Sequence, residues 1–225
     1  MSDASTTPRS EGPSSRSEAK AVRRLALLDA AAGLFAAQGF AGVSLDDLGS
    51  AAGVSGPAIY RHFPGKQAVL GALLVGVSEE LLEGGLRVVA RSIGDDGTAH
   101  DGEAGRGTDD GEAALRALVA FHVDFALSKP DVIRVQDRDF TNLSAEDQGA
   151  VRSLQLRYIE VWARALARVR PDSPPAELRL RAQAVFGLIN STPHSVGSPG
   201  RRTSERRARR ILESMALAAL IAPAP

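Results

Sequence analysis

The chain has 225 residues, of which 44% are hydrophobic and 24% charged, and its 27 basic and 27 acidic side chains balance to a formal net charge of zero. That composition is typical of a globular protein of one or two domains and argues against a protein that coats nucleic acid through charge alone. Cysteine is absent from the sequence, which excludes disulfides and thiolate metal sites. No signal-peptide core and no apolar run of the roughly 18 residues that cross a bilayer is evident, so we expect a cytoplasmic protein that does not enter membranes.

Residues 1–19 are rich in Ser, Thr, Pro, Glu and Arg and hold almost no apolar side chain. Such a segment buries too little surface to offset the entropy lost on ordering, so it is predicted to be a disordered tail. The first helix is predicted from about Ala21 to Gln38, with Gly39 ending it. Its apolar stripe recurs at helical spacing as Leu27, Ala31, Leu34 and Phe35.

The segment from Ser44 to Lys66 has the pattern of two short helices joined by a tight turn and followed by a third helix. Ser44 can cap the first of these helices, and Gly53 stands where a left-handed residue would end it. Ser55 can cap the second helix, with Pro57 near its start. Helix, glycine turn and short helix form the geometry that places one helix in the major groove of DNA.

Residues 23–70 resemble the DNA-binding domain of the TetR family of transcriptional regulators. In that family a first helix ends in Phe-x-x-x-Gly, and Thr-x-x-x-Ile-Ala-x-x-Ala-Gly-Val-Ser-x-x-x-(Leu/Ile)-Tyr-x-His-Phe-x-x-Lys-x-x-Leu follows. Ser44 replaces the usual Thr and keeps a capping oxygen, whereas Gly49 replaces the usual Ala and weakens its helix by roughly 1 kcal/mol. The matching positions are Phe35, Gly39, Ser44, Leu48, Ala52, Gly53, Val54, Ser55, Ile59, Tyr60, His62, Phe63, Lys66 and Leu70.

The resemblance implies that Tyr60 and His62 bind backbone phosphates and that Lys66 approaches another. Arg61 is the one long side chain of the recognition segment able to bind guanine through two hydrogen bonds. Ser44 is both a helix cap and a candidate phosphate donor, and capping alone would explain it. Small side chains open the recognition helix and lie on its DNA face, namely Ser55, Gly56, Pro57 and Ala58.

Three alternatives accompany these assignments. In the first, Tyr60 packs inward rather than facing DNA. In the second, Ile59 and Phe63 are core residues and not DNA contacts. In the third, the tail is a basic arm that reaches DNA through Arg9 and Arg16 rather than a dispensable segment.

Beyond Lys66 the spacing predicts a helix to about Ile93 and then a flexible loop over residues 94–111, which are rich in Gly and Asp. The remainder has helical spacing, except that residues 131–140 form either a short helix or a strand. The predicted fold is all-α with about nine helices. It consists of the tail, a three-helix helix–turn–helix DNA-binding domain over residues 20–66, and a helical ligand-binding and dimerisation domain over residues 67–225.

A DNA-binding module of about 50 residues does not need the length that follows it, and the resemblance implies that this part binds an effector. Polar and aromatic residues on apolar stripes mark where a helical core becomes a pocket. The candidate ligand contacts are His122, Gln136, Arg138, Asp139, Tyr158, Trp162 and Asn190.

Each of these candidates also has a structural interpretation. His122 would be a buried histidine bonded to a backbone carbonyl, and Tyr158 and Trp162 would be core. Arg138 and Asp139 would pair at the surface with Asp137 and Arg134.

The last two long helices are the expected dimer interface, as in the family that the chain resembles, through Val185, Ile189, Ile211, Leu212 and Met215. Nearby lies a dense group of arginines that form either a solvated helix start or a contact with a ligand phosphate or with the partner's acids. They are Arg201, Arg202, Arg206, Arg207, Arg209 and Arg210.

The sequence contains no Gly-x-Ser-x-Gly elbow, no His-Glu-x-x-His, no phosphate-binding glycine loop and no spaced carboxylate set, so an enzyme is not expected and no cofactor is predicted. The preferred interpretation is a homodimeric regulator that binds double-stranded DNA, a repressor released from a palindromic operator by a small hydrophobic ligand, acyl compounds being one class. The alternative is a helix–turn–helix regulator without a small-molecule effector, controlled by a protein partner.

Overall fold

The computed structural model describes residues 13–54, 59–94, 103–195 and 204–223, and these ranges contain helices but no strand. The helices are α1 Pro13–Gly42, α2 Leu45–Ala51, α3 Lys66–Gly94, α4 Glu103–Ser128, α5 Pro130–Asp139, α6 Ala145–Val169, α7 Pro175–Asn190, α8 Thr192–Ser195 and α9 Glu205–Ile221, and a 3₁₀ turn, Phe140–Asn142, leads into α6. The predicted all-α class is therefore confirmed.

Helix α1 begins earlier than the sequence predicts. It starts at Pro13 rather than near Ala21, so residues 13–19 are helical, and residues 1–12 of the predicted tail, including Arg9, lie outside the described residues. Proline in the first turn costs no intrahelical hydrogen bond, and neither proline nor glycine recurs before Gly33. The helix can therefore extend towards the N-terminus from its packed part.

Part of α1, Lys20–Gly42, is long and apolar enough to cross a membrane by length and composition, which contradicts the expectation that no apolar run reaches that length. Leu27 and Phe35 of this segment are buried in the core of the protein, and Asp29 interrupts its apolar sequence. Its backbone also leaves helical geometry at Gly39, where φ is 79° and ψ is 160°. These contacts pack one face of the segment on the core, whereas Val22 and Leu25 are exposed.

One hydrophobic core runs through both halves of the chain. In the N-terminal half, Leu27 of α1, Leu48 of α2 and Ile59 are fully buried, and the same cluster includes Leu74 of α3 and Trp162 of α6. Helix α3 has 29 residues, so at 1.5 Å per residue it extends roughly 43 Å from the DNA-binding domain into the C-terminal domain. The two domains are thus joined by a continuous helix and a shared core.

In the C-terminal domain, α3, α4 and α6 pack against one another, while α7 packs on α6, and α9 packs on α4 and α7. Helix α5 packs instead on α1, which makes it the main contact from the C-terminal domain to the DNA-binding domain. The sequence left helix and strand open for residues 131–140, and the helix is what forms. Pro130 occupies the first helical turn, where proline favours a helix.

The predicted loop over residues 94–111 is helical in part. Helix α4 starts at Glu103, and residues 95–102 lie outside the described residues. Gly111 lies in this helix against α6, where a Cβ atom would come within 2.7 Å of the Cβ of Arg168. The glycine thus permits close helix packing, which compensates for the roughly 1 kcal/mol that glycine costs in a helix interior.

Candidate DNA interface and effector site

Helix α2 is fixed at its start by reciprocal hydrogen bonds between Ser44 and Asp47. The Ser44 hydroxyl accepts from the Asp47 N–H at 3.1 Å, and the Asp47 carboxylate accepts from the Ser44 N–H at 2.8 Å and from its hydroxyl at 2.6 Å. The hydroxyl and backbone hydrogen bonds from Ser44 lower the pKa of the Asp47 carboxyl group. The predicted cap is therefore present, and a phosphate contact by Ser44 stays a prediction.

The turn after α2 is tight, as the sequence predicts. Gly53 has a φ of 65°, in the left-handed region that glycine adopts without strain, and the Val54 N–H donates to the Gly49 carbonyl at 2.8 Å. A Cβ atom on Gly49 would lie 3.0 Å from the Val54 carbonyl oxygen. The glycine that replaces the family's usual alanine therefore lies where the chain turns back on itself.

The described part of the recognition segment is one helical turn, in which the N–H groups of His62 and Phe63 both donate to the Ile59 carbonyl at 2.9 Å. Ile59 and Phe63 are buried, in agreement with their interpretation as core residues. Tyr60 is 60% exposed and Arg61 is exposed too, so Tyr60 does not pack inward. The other predicted contacts, Ser55, Gly56, Pro57 and Ala58, lie outside the described residues.

His62 is half-buried, and within the described part of the chain its Nδ1 atom is buried without a hydrogen-bond partner. The family's phosphate contact through this residue remains a prediction.

Lys66 has a structural role that the sequence did not indicate. Its ammonium donates to the carbonyls of Phe40 and Val43, both at 2.7 Å, and to that of Ala41 at 3.4 Å. It also lies 4.6 Å from the centroid of the Phe40 ring. Lys66 therefore holds the connection between α1 and α2 to the start of α3, and its donors are occupied by the protein's own carbonyls.

Two of the predicted ligand contacts, Arg138 and Asp139, lie at the contact between α5 and α1. The Arg138 guanidinium donates to the carbonyls of Phe35 and Ala36, and it pairs at 3.0 Å with Asp139, whose carboxylate is buried. Arg138 thus pairs with its own neighbour Asp139, and Arg134 pairs with Asp131 at 2.7 Å. Gln136 lies half-buried on the same helix.

The other four predicted ligand contacts lie together in the C-terminal domain. His122 of α4 bonds through Nε2 to the Asn190 Oδ1 atom at 3.2 Å, and its Nδ1 lies 3.4 Å from the Tyr158 hydroxyl. The Trp162 ring meets the rings of His122 and Tyr158 edge-on, with centroids 6.0 and 6.1 Å away. Within the part of the chain that the structure describes, His122 is thus bonded to side chains and not to a backbone carbonyl.

Sequence reasoning missed the fifth member of this group, Phe186 of α7. Its ring stacks on His122 and Tyr158 with centroids 4.9 and 5.3 Å away, and it lies perpendicular to Trp162 at 5.0 Å. The signal was available, because Phe186 precedes Asn190 by four residues and the two share a helix face. We call His122, Tyr158, Trp162, Phe186 and Asn190 the aromatic cluster.

Burial sets the charge state of the aromatic cluster. Desolvation lowers the pKa of His122 to about 4, although the bond to Asn190 opposes the shift, so its imidazole is neutral near pH 7. Desolvation likewise raises the pKa of the Tyr158 phenol, an effect partly offset by the nearby Trp162 indole N–H. That N–H lies close to Tyr158 without meeting hydrogen-bond geometry, and it has no partner among the described residues.

Glycine on α3 brings the aromatic cluster close to the centre of the domain. A Cβ atom on Gly85 would come within 2.5 Å of the Tyr158 ring, so the ring rests directly on the backbone of α3. The described residues contain no group of three or more His, Asp or Glu suited to a metal ion. The aromatic cluster thus combines ring faces with a few hydrogen-bonding groups and carries no charge near pH 7.

The predicted dimer interface is corrected in part. Val185 and Ile189 are 1% and 0% exposed because the stripe they form on α7 faces the chain's own core, so they are not available to a partner. Ile211 and Met215 of α9 are 44% and 52% exposed, and Leu180 of α7, which the sequence analysis did not single out, is 64% exposed. Leu212 is half-buried and packs on the core.

The arginines near the start of α9 differ in exposure and in ion pairing. Arg209 pairs with Asp124 of α4 at 2.7 Å, so its charge is balanced within the chain. Arg206, Arg207 and Arg210 are exposed, and Arg201 and Arg202 lie outside the described residues.

Comparison with known proteins agrees with this architecture. A family profile described as "Bacterial regulatory proteins, tetR family" matches residues 27–73, and one described as "Tetracyclin repressor-like, C-terminal domain" matches residues 108–219. The chain is 25% identical over 151 residues to the HTH-type transcriptional repressor KstR2 of Rhodococcus jostii strain RHA1. That match covers 67% of this chain and 66% of the repressor, slightly less than two thirds of the relative's length.

Solved structures share the fold. A TetR-family transcriptional regulator from Bordetella parapertussis 12822 matches with a TM-score of 0.67 and 21% identity, over 86% of this chain and 93% of that one. FadR from Bacillus subtilis, solved in complex with stearoyl-CoA, matches with a TM-score of 0.61 and 15% identity, over 87% of this chain and 98% of that one. The chain therefore belongs to the TetR family of bacterial regulatory proteins.

Proposed function

We propose that the protein is a homodimeric repressor that leaves a palindromic operator when a small hydrophobic effector binds its C-terminal domain. The observation that carries the proposal is the aromatic cluster, a buried and uncharged group of rings and polar atoms in a domain that DNA contact does not require. Such a mixture of apolar walls and few polar groups is typical of ligand sites in proteins. A regulator of this kind acts in the bacterial cytoplasm, where its operator lies.

The effector is expected to be uncharged at the end that enters the cluster, because the neutral His122 and Asn190 offer hydrogen bonds but no counter-charge. Acyl compounds are the first class to test, since the FadR protein of similar fold was solved with stearoyl-CoA. That similarity rests on fold alone, and the class is chosen for its long apolar part and single carbonyl.

A palindromic operator requires two recognition segments related by a two-fold axis, roughly 34 Å apart on DNA. The exposed apolar side chains of α7 and α9, Leu180, Ile211 and Met215, offer a face for a second copy. Pairing through this face joins the subunits at the end of the molecule that carries the effector domain.

The contact of α5 with α1 supports communication between the two functions. Arg138 joins α5 to the carbonyls of Phe35 and Ala36, and α1 is the first helix of the DNA-binding domain. An effector that binds more tightly to one arrangement of these helices shifts the population towards it, and only by that difference in affinity.

The test is a gel-shift assay with DNA from the chain's own promoter region, followed by a thermal-shift screen of acyl-CoA thioesters and hydrophobic drugs. An effector must both raise the melting temperature by mass action and release the operator. Arg61→Ala should abolish the shift while retaining the fold, and Arg87→Ala, at an exposed position of α3, serves as its control. Absence of any palindromic operator would contradict the repressor.

A second candidate is a regulator without a small-molecule effector that responds to a protein partner. It is favoured by the close packing of the aromatic cluster, whose ring centroids around Phe186 lie only 4.9 to 5.3 Å apart. For this candidate, the operator is bound and no compound in the screen alters either the melting temperature or the DNA affinity.

A further inference from the structure

Phe186 is more exposed to solvent than the three rings that it touches. His122, Tyr158 and Trp162 are 2%, 4% and 0% exposed, whereas Phe186 is half-buried. The Phe186 ring stacks on the rings of His122 and Tyr158 and lies perpendicular to the Trp162 ring. It therefore fills the space between these three rings. Without its phenyl group, the three buried rings would line an open recess of one-ring size.

One of the rings around this recess, the Trp162 indole, carries a donor without a hydrogen bond of normal geometry. The Trp162 Nε1 atom is buried and has no hydrogen-bond partner among the described residues. A buried N–H without an acceptor is unfavourable, since water satisfied it in the unfolded chain. Phe186 has no acceptor to offer, so the closed arrangement leaves this cost in place, and a carbonyl or hydroxyl oxygen would remove it.

The recess also lacks charge. His122 is neutral near pH 7 because burial lowers its pKa to about 4, and its hydrogen bonds go to Asn190 and Tyr158. A carboxylate entering the recess would lose its hydration without gaining a cation, which is strongly unfavourable. A ketone, ester or thioester carbonyl avoids that cost and accepts from the indole N–H.

Small residues flank Phe186 on α7. Its neighbours Ala184 and Gly187 are small and exposed, and a Cβ atom on Gly187 would meet no other atom within 4 Å. The same helix carries the exposed Leu180, part of the proposed dimer face. Displacement of Phe186 would therefore act on the helix that is proposed to join the subunits.

We infer that Phe186 closes the effector recess of the ligand-free protein, and that the effector displaces it with an uncharged apolar group whose carbonyl or hydroxyl oxygen accepts from the Trp162 indole. This inference rests on the proposed function, because it assigns the effector to the aromatic cluster.

The test uses three probes of similar size: acetophenone, which has a carbonyl acceptor; ethylbenzene, which has none; and benzoate, which is charged. Binding to the full chain is followed by melting temperature and by the fluorescence of Trp162, the single tryptophan of the sequence. Cavities on the order of 150 Å³ left by truncated core residues are large enough for such rings.

Phe186→Ala is expected to bind acetophenone roughly tenfold or more tightly than the wild type, because the ring no longer has to be displaced. Acetophenone should bind more tightly than ethylbenzene to both proteins, and benzoate should bind to neither protein. Trp162→Phe should remove the preference for acetophenone while retaining ethylbenzene, as measured by melting temperature. Phe121→Ala, which truncates a half-buried phenylalanine outside the cluster, should not tighten binding.

Equal binding of acetophenone and ethylbenzene to Phe186→Ala would overturn the inference, as would a wild type that responds to neither probe at saturating concentration. If Phe186→Ala does not fold, Phe186→Leu opens part of the recess and the same order of probes applies. The assay contains no DNA, so its failure is separate from a failure of the operator assay. An effector that releases DNA without altering Trp162 fluorescence would refute this inference and leave the proposed function intact.

Discussion

Arg138 of α5 donates a hydrogen bond to the main-chain carbonyl of Phe35 in α1, across a separation of 103 residues in the sequence. The α1 backbone departs from helical geometry at Gly39, so Phe35 and Ala36 lie in the last turn before that break. A guanidinium there interacts favourably with the negative end of the helix dipole. The buried Asp139 carboxylate balances its charge.

Replacing Arg138 by Ala is expected to lower the free energy of unfolding by about 1.5–3 kcal/mol, the usual contribution of hydrogen bonds to a charged group, because it leaves Asp139 buried without its cation. Denaturant unfolding measures this loss, and Arg157→Ala, at an exposed site of α6, is the control. Arg138→Ala/Asp139→Asn should recover part of the loss. Equal stability of Arg138→Ala and the control would contradict this account.

Lys66 gives a prediction that separates a structural lysine from a phosphate contact. Its ammonium is bonded to the carbonyls of Phe40 and Val43, so Lys66→Met is expected to lower stability by about 1–3 kcal/mol. If these bonds persist on DNA, the slope of log affinity against log salt should not change. Loss of a lysine that does contact a phosphate would instead reduce that slope by about 1. A reduced slope for Lys66→Met would restore the phosphate role that the resemblance implies.

The aromatic cluster predicts a pH dependence of stability through His122. Its pKa is about 4 in the folded protein and about 6.5 when unfolded, so between these values the unfolded chain binds more protons. Stability should therefore be complete above pH 6.5 and decline as the pH falls towards 4, by up to about 3 kcal/mol. His122→Gln removes this dependence, so the difference between the two proteins in denaturant unfolding at pH 7 and pH 5 isolates it. A constant difference between these pH values would contradict the prediction.

Local signals in the sequence predict the elements around these sites well. Ser44, Gly53 and Pro130 act through the chain within a few residues, and the cap, the turn and the start of α5 follow from them. Helix starts that depend on packing further along are harder to predict. The polar composition predicts a disordered tail for residues 13–19 and a loop for residues 103–111. Both segments instead continue helices whose packed residues lie further along the chain.

The candidate site shows the same division. Helical spacing placed His122, Tyr158, Trp162 and Asn190 on inward faces, and the fold brings them together. Spacing does not reveal which other helix a face meets, so neither the contact of Arg138 with α1 nor that of Lys66 with the α1–α2 connection could be predicted. For the same reason the sequence does not show whether Val185 and Ile189 face a partner or the chain's own core, since one apolar stripe serves either equally well.

Two glycines of α3 give a matched pair of substitutions. A Cβ atom on Gly85 would overlap the Tyr158 ring, whereas one on Gly76 would meet no atom within 4 Å. Gly85→Ala is therefore expected to destabilise the protein by about 1–3 kcal/mol through overpacking. Gly76→Ala should stabilise it by up to about 1 kcal/mol, since alanine is the better helix former. Thermal unfolding compares them, and effects of the same sign would contradict the packing of Tyr158 on α3.

The proposed dimer face can be tested at its most exposed α9 residue, Met215, which is 52% exposed. Met215→Glu would bring two like charges together near the two-fold axis and leave them poorly hydrated, so the protein is expected to be monomeric. Because a palindromic operator is bound by two linked recognition segments, operator affinity should fall along with dimerisation. Leu156→Glu alters an equally exposed apolar residue, 61% exposed on α6, and should leave both unchanged. Sedimentation gives the oligomeric state of both variants, and gel shifts give their operator affinity. A dimeric Met215→Glu protein would place the interface elsewhere.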